Sequence, residues 1–290
     1  MGALKMKLPN KDIVNYFDAL PQKVYQRSEI DKILSENKEF WRLRSSTTVH
    51  QFIEFLLAGT KLRKTRFEFP SRNIIRYSWG EVSVYELAAS LAPNSYFTHY
   101  AAVYLHELTE QVPNVLYLNY EQSRKYQDPD SLTQSSIDAA FKRPVRVSNN
   151  TASYQDKTIC LLNGMYTGAL GVIGMNDPAG SEIPVTNIER TLIDITVRPV
   201  YAGGVFEVLK AFKGAKGTAS TNKLSAMLRK MDFVYPYHQA VGFYLERAGY
   251  KEAAIKLFRK FDIKYDFYLV HQMKETDYSK DWRLYFPKGF

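Results

Sequence analysis

The apolar residues of the first eighty positions change period once, near Gly59, and that change limits what the region can become. Residues 11–20 place Ile13, Val14, Phe17 and Leu20 at the spacing of a half-buried helix, and Pro21 stops it. Ser28-Glu29-Ile30-Asp31 approximates a capping box that opens a second helix, with Ile30, Ile33 and Leu34 inward. A polar connection through 39–46 leads to a second such box, Thr48-Val49-His50-Gln51. Val49, Phe52, Ile53 and Leu56 follow at helical spacing, and Gly59 is the expected stop. Residues 61–69 and 73–79 then read as two strands joined by Pro70-Ser71-Arg72, with Ile75, Tyr77 and Trp79 alternating along the second. Three helices followed by a hairpin predict a winged helix-turn-helix domain over 1–80.

Charge reinforces that reading. The net charge of +9 is concentrated: residues 1–76 hold 15 Lys and Arg, Lys5 and Lys7 among them, against 8 Asp and Glu. A patch of one sign suits a polyanion, because each neutralised phosphate releases condensed counterions. In a winged helix the third helix enters the major groove and the hairpin straddles phosphates. The expected DNA contacts are therefore Arg42, Arg44, Ser46, Thr47 and Thr48 at the mouth of the third helix. His50 and Gln51 lie on its outward face with Glu54, where glutamine can pair with adenine. Lys61, Arg63, Lys64, Arg66 and Arg72 serve the backbone from the hairpin.

After residue 80 the pattern is strands then helices without regular alternation, which predicts a larger mixed α+β domain over 81–290. Helices are expected at 84–92, 95–108, 205–212, 221–231, 237–248 and 252–261, and a third capping box, Thr186-Asn187-Ile188-Glu189, opens a further helix that runs through Val197. Strands are expected at 114–120, 145–147, 157–162, 183–185, 265–270 and 282–286. The 19 uncharged residues between Lys157 and Asp177 approach the length of a membrane span. Gly164, Gly168, Gly171 and Gly174 break them, so two buried strands around a Gly-rich turn are expected instead. One cysteine, Cys160, excludes an internal disulfide framework, and no basic-then-apolar leader opens the sequence; the expected location is cytoplasmic.

Catalytic patterns are sparse. His99 and His106 stand seven apart, too far along a helix to share a metal, and His106-Glu107-Leu108-Thr109-Glu110 lacks the second histidine of a metalloprotease motif. Neither a P-loop nor a nucleophile elbow occurs. Asp262-Ile263-Lys264 has the D-x-K form of metal-dependent nucleases, with Asp232 or Glu246 as upstream partner. Asp128-Pro129-Asp130 lacks the preceding Gly-Ser of nucleotidyltransferases. In Glu189-Arg190-Thr191-Leu192-Ile193-Asp194, Arg190 and Asp194 are four apart and can pair on one helix face, as a structural latch. No catalytic residue, metal or cofactor is expected.

Three runs carry a family resemblance: 95–102 continuing to 105–111, 185–194, and 235–246. They resemble AbiEi-type antitoxins of type IV toxin–antitoxin systems. The resemblance implies a phage-defence operon whose promoter repeats are bound as double-stranded DNA by the N-terminal domain, a transcriptional repressor. It also implies that the C-terminal domain antagonises a nucleotidyltransferase toxin without a stable complex. The stretch 38–46 and the tail after Glu252 depart from that pattern. A nuclease presenting DNA on a basic head, and an adaptor docking protein through its winged helix, are the competing readings.

Overall fold

The computed structural model describes residues 11–124 and 132–290; Lys5, Lys7 and the Asp128-Pro129-Asp130 pattern lie outside them. The head consists of α1 (Lys11–Ala19), β1 (Val24–Tyr25), α2 (Arg27–Asn37), α3 (Val49–Gly59), β2 (Leu62–Glu68) and β3 (Asn73–Trp79). Its strands form one antiparallel sheet in the order β1-β3-β2. Ile13, Phe17, Ile30, Leu34, Phe52, Ile53 and Leu56 meet Leu62, Tyr77 and Trp79 in one apolar cluster. The helical periodicity and the strand alternation thus serve the same core.

Two caps differ from the expected ones. Helix α2 is capped by Gln26, not Ser28, because the Glu29 carboxylate accepts the Gln26 N–H at 2.6 Å and closes the box from there. Gly59 stays inside α3, and Thr60 ends it by donating its N–H to the Leu56 carbonyl. The Thr48–Gln51 box forms as expected.

The body continues with α4 (Val84–Ala89), β4 (Tyr96–Phe97), α5 (His99–Leu105), β5 (Val115–Glu121), α6 (Gln134–Lys142), β6 (Thr151–Tyr154), β7 (Lys157–Gly164), β8 (Val172–Asn176) and β9 (Glu182–Thr186). Its sheet runs β6-β7-β5-β4-β9-β8, with parallel pairs β5–β7 and β4–β9 among antiparallel neighbours. Helices α7 (Ile188–Val197), α8 (Val205–Gly214), α9 (Thr221–Met231), α10 (Tyr237–Arg247) and α11 (Glu252–Arg259) follow. A small sheet of β10 (Phe267–Tyr268), β11 (Thr276–Ser279) and β12 (Leu284–Pro287) ends the chain. The fold is mixed α+β.

Three expectations for the body fail. Residues 95–108 are not one helix: Tyr96 and Phe97 are buried as a central strand, paired with Asn119 and Leu118 on one side and Val185 on the other. Residues 145–147 form no strand. Of the two buried strands expected around the Gly-rich turn, only β7 is buried, between β5 and β6, whereas β8 is a largely exposed edge on β9. No helix among the described residues is long and apolar enough to cross a membrane.

The junction at Gly80 is not a loose linker. Phe67, Phe69 and Ile74 from the hairpin share a core with Leu87, Leu91, Phe97, Leu116 and Ile159 of the body. The Phe67 ring lies 5.3 Å from that of Tyr154. Arg76 donates to the carbonyls of Ser90 at 3.0 Å and 2.6 Å, and of Leu91 at 3.3 Å. At the other end, the tail closes the helical core: Trp282, Phe267 and Leu284 are fully buried beside α10. Gly242 permits that approach, since a Cβ there would come within 2.2 Å of the Trp282 ring. Gln239 clamps the same tail, donating to the carbonyls of Tyr265 at 2.9 Å and Trp282 at 2.6 Å.

Candidate nucleic-acid interface

Strand alternation sorts the basic residues of the hairpin. Lys64 and Arg66 fall on the face that carries Leu62, opposite Tyr77 and Ile75. Arg63 falls on the other face with Phe67, the side that packs on the body. The hairpin therefore turns one face to the body and leaves Lys64, Arg66 and Ile75 exposed on the other. Arg72 is exposed at the turn.

Of the twelve residues expected at DNA, all are exposed except Thr47, which is half-buried. Their charges are not equally available. Lys61 holds both carboxylate oxygens of Asp18 at 2.8 Å and 3.0 Å, while the Trp79 indole donates to the same group at 2.7 Å. The Lys61 hydrogen bond, followed by that of Trp79, holds the Asp18 carboxyl below its ordinary range. Lys61 thus ties α1 to the base of the hairpin. Arg63 pairs with Glu81 at 3.2 Å and Arg66 with Glu68 at 3.1 Å, all well exposed. Arg42, Arg44, Lys64 and Arg72 make no ion pair among the described residues.

At the mouth of α3 the cap consumes part of the expected reading surface. The Thr48 hydroxyl accepts from Gln51 N at 3.3 Å, and Gln51 Oε1 accepts from Thr48 N at 3.0 Å. A bidentate pairing of Gln51 with adenine would need that oxygen, so it competes with the cap. His50 and Glu54 remain on the outer face. Ahead of α3, Lys38 donates to the carbonyls of Ser45 at 3.1 Å and Thr47 at 2.9 Å, and Trp41 stacks on Phe52 with ring centroids 5.6 Å apart. These contacts shape the stretch that carries Arg42, Arg44 and Ser46. The charge reading missed Lys38 as a tie, and it missed Phe40, which is 70% exposed beside the buried Trp41. Two adjacent aromatics in a polar connection were the available signal.

The other constellations resolve into structure. Arg190 and Asp194 pair at 2.7 Å and are nearly buried, and the Thr98 hydroxyl donates to the second Asp194 oxygen at 2.8 Å. Burial works against the Arg190 guanidinium, but Asp194 outweighs it and keeps the group firmly charged. Arg190 also donates to Thr167 and Leu170, closing the Gly-rich turn onto α7. Asn187, not Thr186, caps α7, which puts Arg190 rather than Glu189 three residues in. His106 contacts the Thr186 carbonyl at 2.6 Å, so two of the three resembling runs meet directly.

The D-x-K pattern does not gather a metal set. Glu246 takes the Trp282 indole N–H and lies near Arg259, and the Asp262 contact with His238 is made by its backbone carbonyl. Among the described residues no three His, Cys, Asp or Glu side chains are grouped to hold an ion. Cys160 is buried, and burial pushes its thiol upward.

The sequence matches no family model and no curated protein. Solved structures do match. The crystal structure of the RV2827C protein from Mycobacterium tuberculosis aligns over 97% of this chain and 92% of its own, with TM-score 0.59 and 12% identity. At that identity the likeness concerns the fold alone. It spans both the head and the body.

Proposed function

We propose that this chain is a DNA-binding transcriptional autorepressor and antitoxin of the AbiEi type, acting in the cytoplasm against a nucleotidyltransferase toxin without a stable complex. The observation that carries the reading is the head's topology. A short strand between the first two helices pairs with the last strand, in the sheet order β1-β3-β2, as in a winged helix. In that unit α3 is the recognition helix, with His50 and Glu54 outward, and Arg42, Arg44, Lys64 and Arg72 are the cations available to phosphates. The functional division falls near Gly80, between the head of 1–80 and the body of 81–290, although the two share a core.

Gel-shift titration of the full chain on its own promoter, across a salt series, tests the DNA half. Lys64→Ala and Arg72→Ala should each lower the log–log salt slope by about 0.9 if each neutralises one phosphate. A double variant with unchanged affinity and slope refutes the assignment. The antitoxin half requires a nucleotidyltransferase gene beside this one, and co-expression with that gene's product tests it. Full-length protein carrying Lys64→Ala and Arg72→Ala should still relieve growth arrest, while a failure of the wild-type chain to do so refutes the antitoxin role.

A further inference from the structure

The body contains a cleft of about 680 Å³, lined in part by the Thr98, Arg190 and Asp194 group described above. Its floor is built at the C-terminal ends of the parallel strands β5 and β7, from Asn119, Gln122 and Asn163. Open α/β sheets place ligands at such strand ends. Arg190 and Asp194 of α7 line it, with Arg198 just past the end of that helix, and so do Phe233, Tyr235 and the exposed Arg146. All three resembling runs reach it, through His99, Asp194 and Tyr235.

Two observations indicate what the cleft is built to hold. The first is charge. Arg190 is neutralised by Asp194, whereas Arg146 and Arg198 line the cleft with no ion pair among the described residues. Two guanidiniums lining one cleft favour an oxyanion, to which each can present paired N–H donors. The second is His99, which lines the cleft and is only 8% exposed, yet its Nδ1 has no hydrogen-bond partner among the described residues. A buried polar atom left alone costs free energy, and such exceptions in a cleft mark a place for a ligand group. His99 also sits at φ 51°, a left-handed conformation unusual for a residue with a side chain. Burial first, and the nearby arginines after it, keep the ring neutral against the pull of Asp194, pushing it down to about 4. A neutral imidazole can donate or accept a hydrogen bond at neutral pH.

We propose that this cleft binds a small organic oxyanion, its phosphate or carboxylate between Arg146 and Arg198 and its flat apolar part against Phe233 and Tyr235. The His99 ring lines the same cleft beside the ligand. The volume lies in the range of pockets for small molecules, and apolar walls with a few convergent polar groups are their usual lining. The inference stands apart from the reading of the head.

The test is calorimetric titration of the full chain with AMP, GMP, CMP, UMP, 4-hydroxybenzoate and inorganic phosphate, with ¹⁵N-histidine spectra recorded in parallel. At least one organic anion should bind in the micromolar range and shift the His99 resonance, the nucleotide and carboxylate arms telling the two sources apart. Arg146→Gln, at an exposed position, should weaken that binding about tenfold to a hundredfold, the worth of one charge-assisted hydrogen bond. Arg198→Gln should do the same, and Lys64→Gln with Arg72→Gln should leave it unchanged. Absence of binding by all six probes at millimolar concentration overturns the proposal, as does binding that both cleft variants retain. Binding of inorganic phosphate as tight as that of every organic anion overturns the aromatic wall.

Discussion

Two ion pairs, one in the head and one in the body, do different work with the same chemistry. Lys61–Asp18 joins α1 to the hairpin at 2.8 Å with both side chains about half exposed. Arg190–Asp194 joins two turns of α7 at 2.7 Å with side-chain exposures of 5% and 10%. Water screens the first pair, and its partners can separate cheaply. The second is buried among further hydrogen bonds to Thr98, Thr167 and Leu170, so neither partner can be removed without stranding the other. The contrast belongs to these two pairs: the body's other ion pairs, such as Arg259–Glu252 and Lys288–Glu275, lie at the surface like those of the head.

The sharpest way to break the comparison is Asp194→Ala. It leaves Arg190 charged and buried, and should cost about 3–5 kcal/mol in urea unfolding. A loss under about 1 kcal/mol would put this pair in the class of surface bridges. Replacing both partners by apolar residues should cost less than the single change, because no charge is stranded.

A smaller effect is expected from His99. In the unfolded chain the ring takes a proton as pH falls below its ordinary 6.5, while in the folded chain it stays neutral to about 4. The unfolded state therefore binds more protons in that window. Its contribution to stability is complete above pH 6.5 and falls away between 6.5 and 4, by up to roughly 3 kcal/mol. His106, His238 and His271 are also lowered, burial being the main cause for each, so the measurement is a difference. The stability–pH curve of His99→Gln should be flatter than that of the wild type over this range; parallel curves would show that His99 does not contribute.

Lys61→Ala should produce the smallest change, a thermal midpoint close to wild type at low salt and nearer still at high salt. A large loss would mean that the Asp18 link, with its Trp79 bond, is part of the head's core. For DNA, loss of Lys61 should alter the salt slope less than loss of Lys64, since Lys61 is already committed to a carboxylate.

How much of this was legible differs between the regions for a physical reason. In the head, the three helices and β2 keep one exposed face, so the apolar period reports their state directly, whereas both residues of β1 are buried and left no such signal. The segments around Ile13, Ile30, Phe52 and Tyr77 were all identifiable, and their packing follows. Cap positions were less secure: Ser28 competes with Gln26, and only the Glu29 contact decides between them. In the body, Tyr96 and Phe97 are a strand just two residues long, flanked by residues that suit a helix. Its state rests on Leu118 and Val185, which are distant in sequence.

By itself the sequence determined the order of the three helices and the hairpin in the head (though not the short β1, Val24–Tyr25), the concentration of charge there, and the Arg190–Asp194 pairing, because each depends on residues a few positions apart. Only the tertiary structure decided that the hairpin turns one face to the body and that Arg63 and Arg66 are paired while Lys64 is not. It alone set His99, Arg190, Arg198 and Tyr235 around one cleft. Those facts depend on which surfaces are buried together, and burial is a property of the packed chain. No local period encodes it.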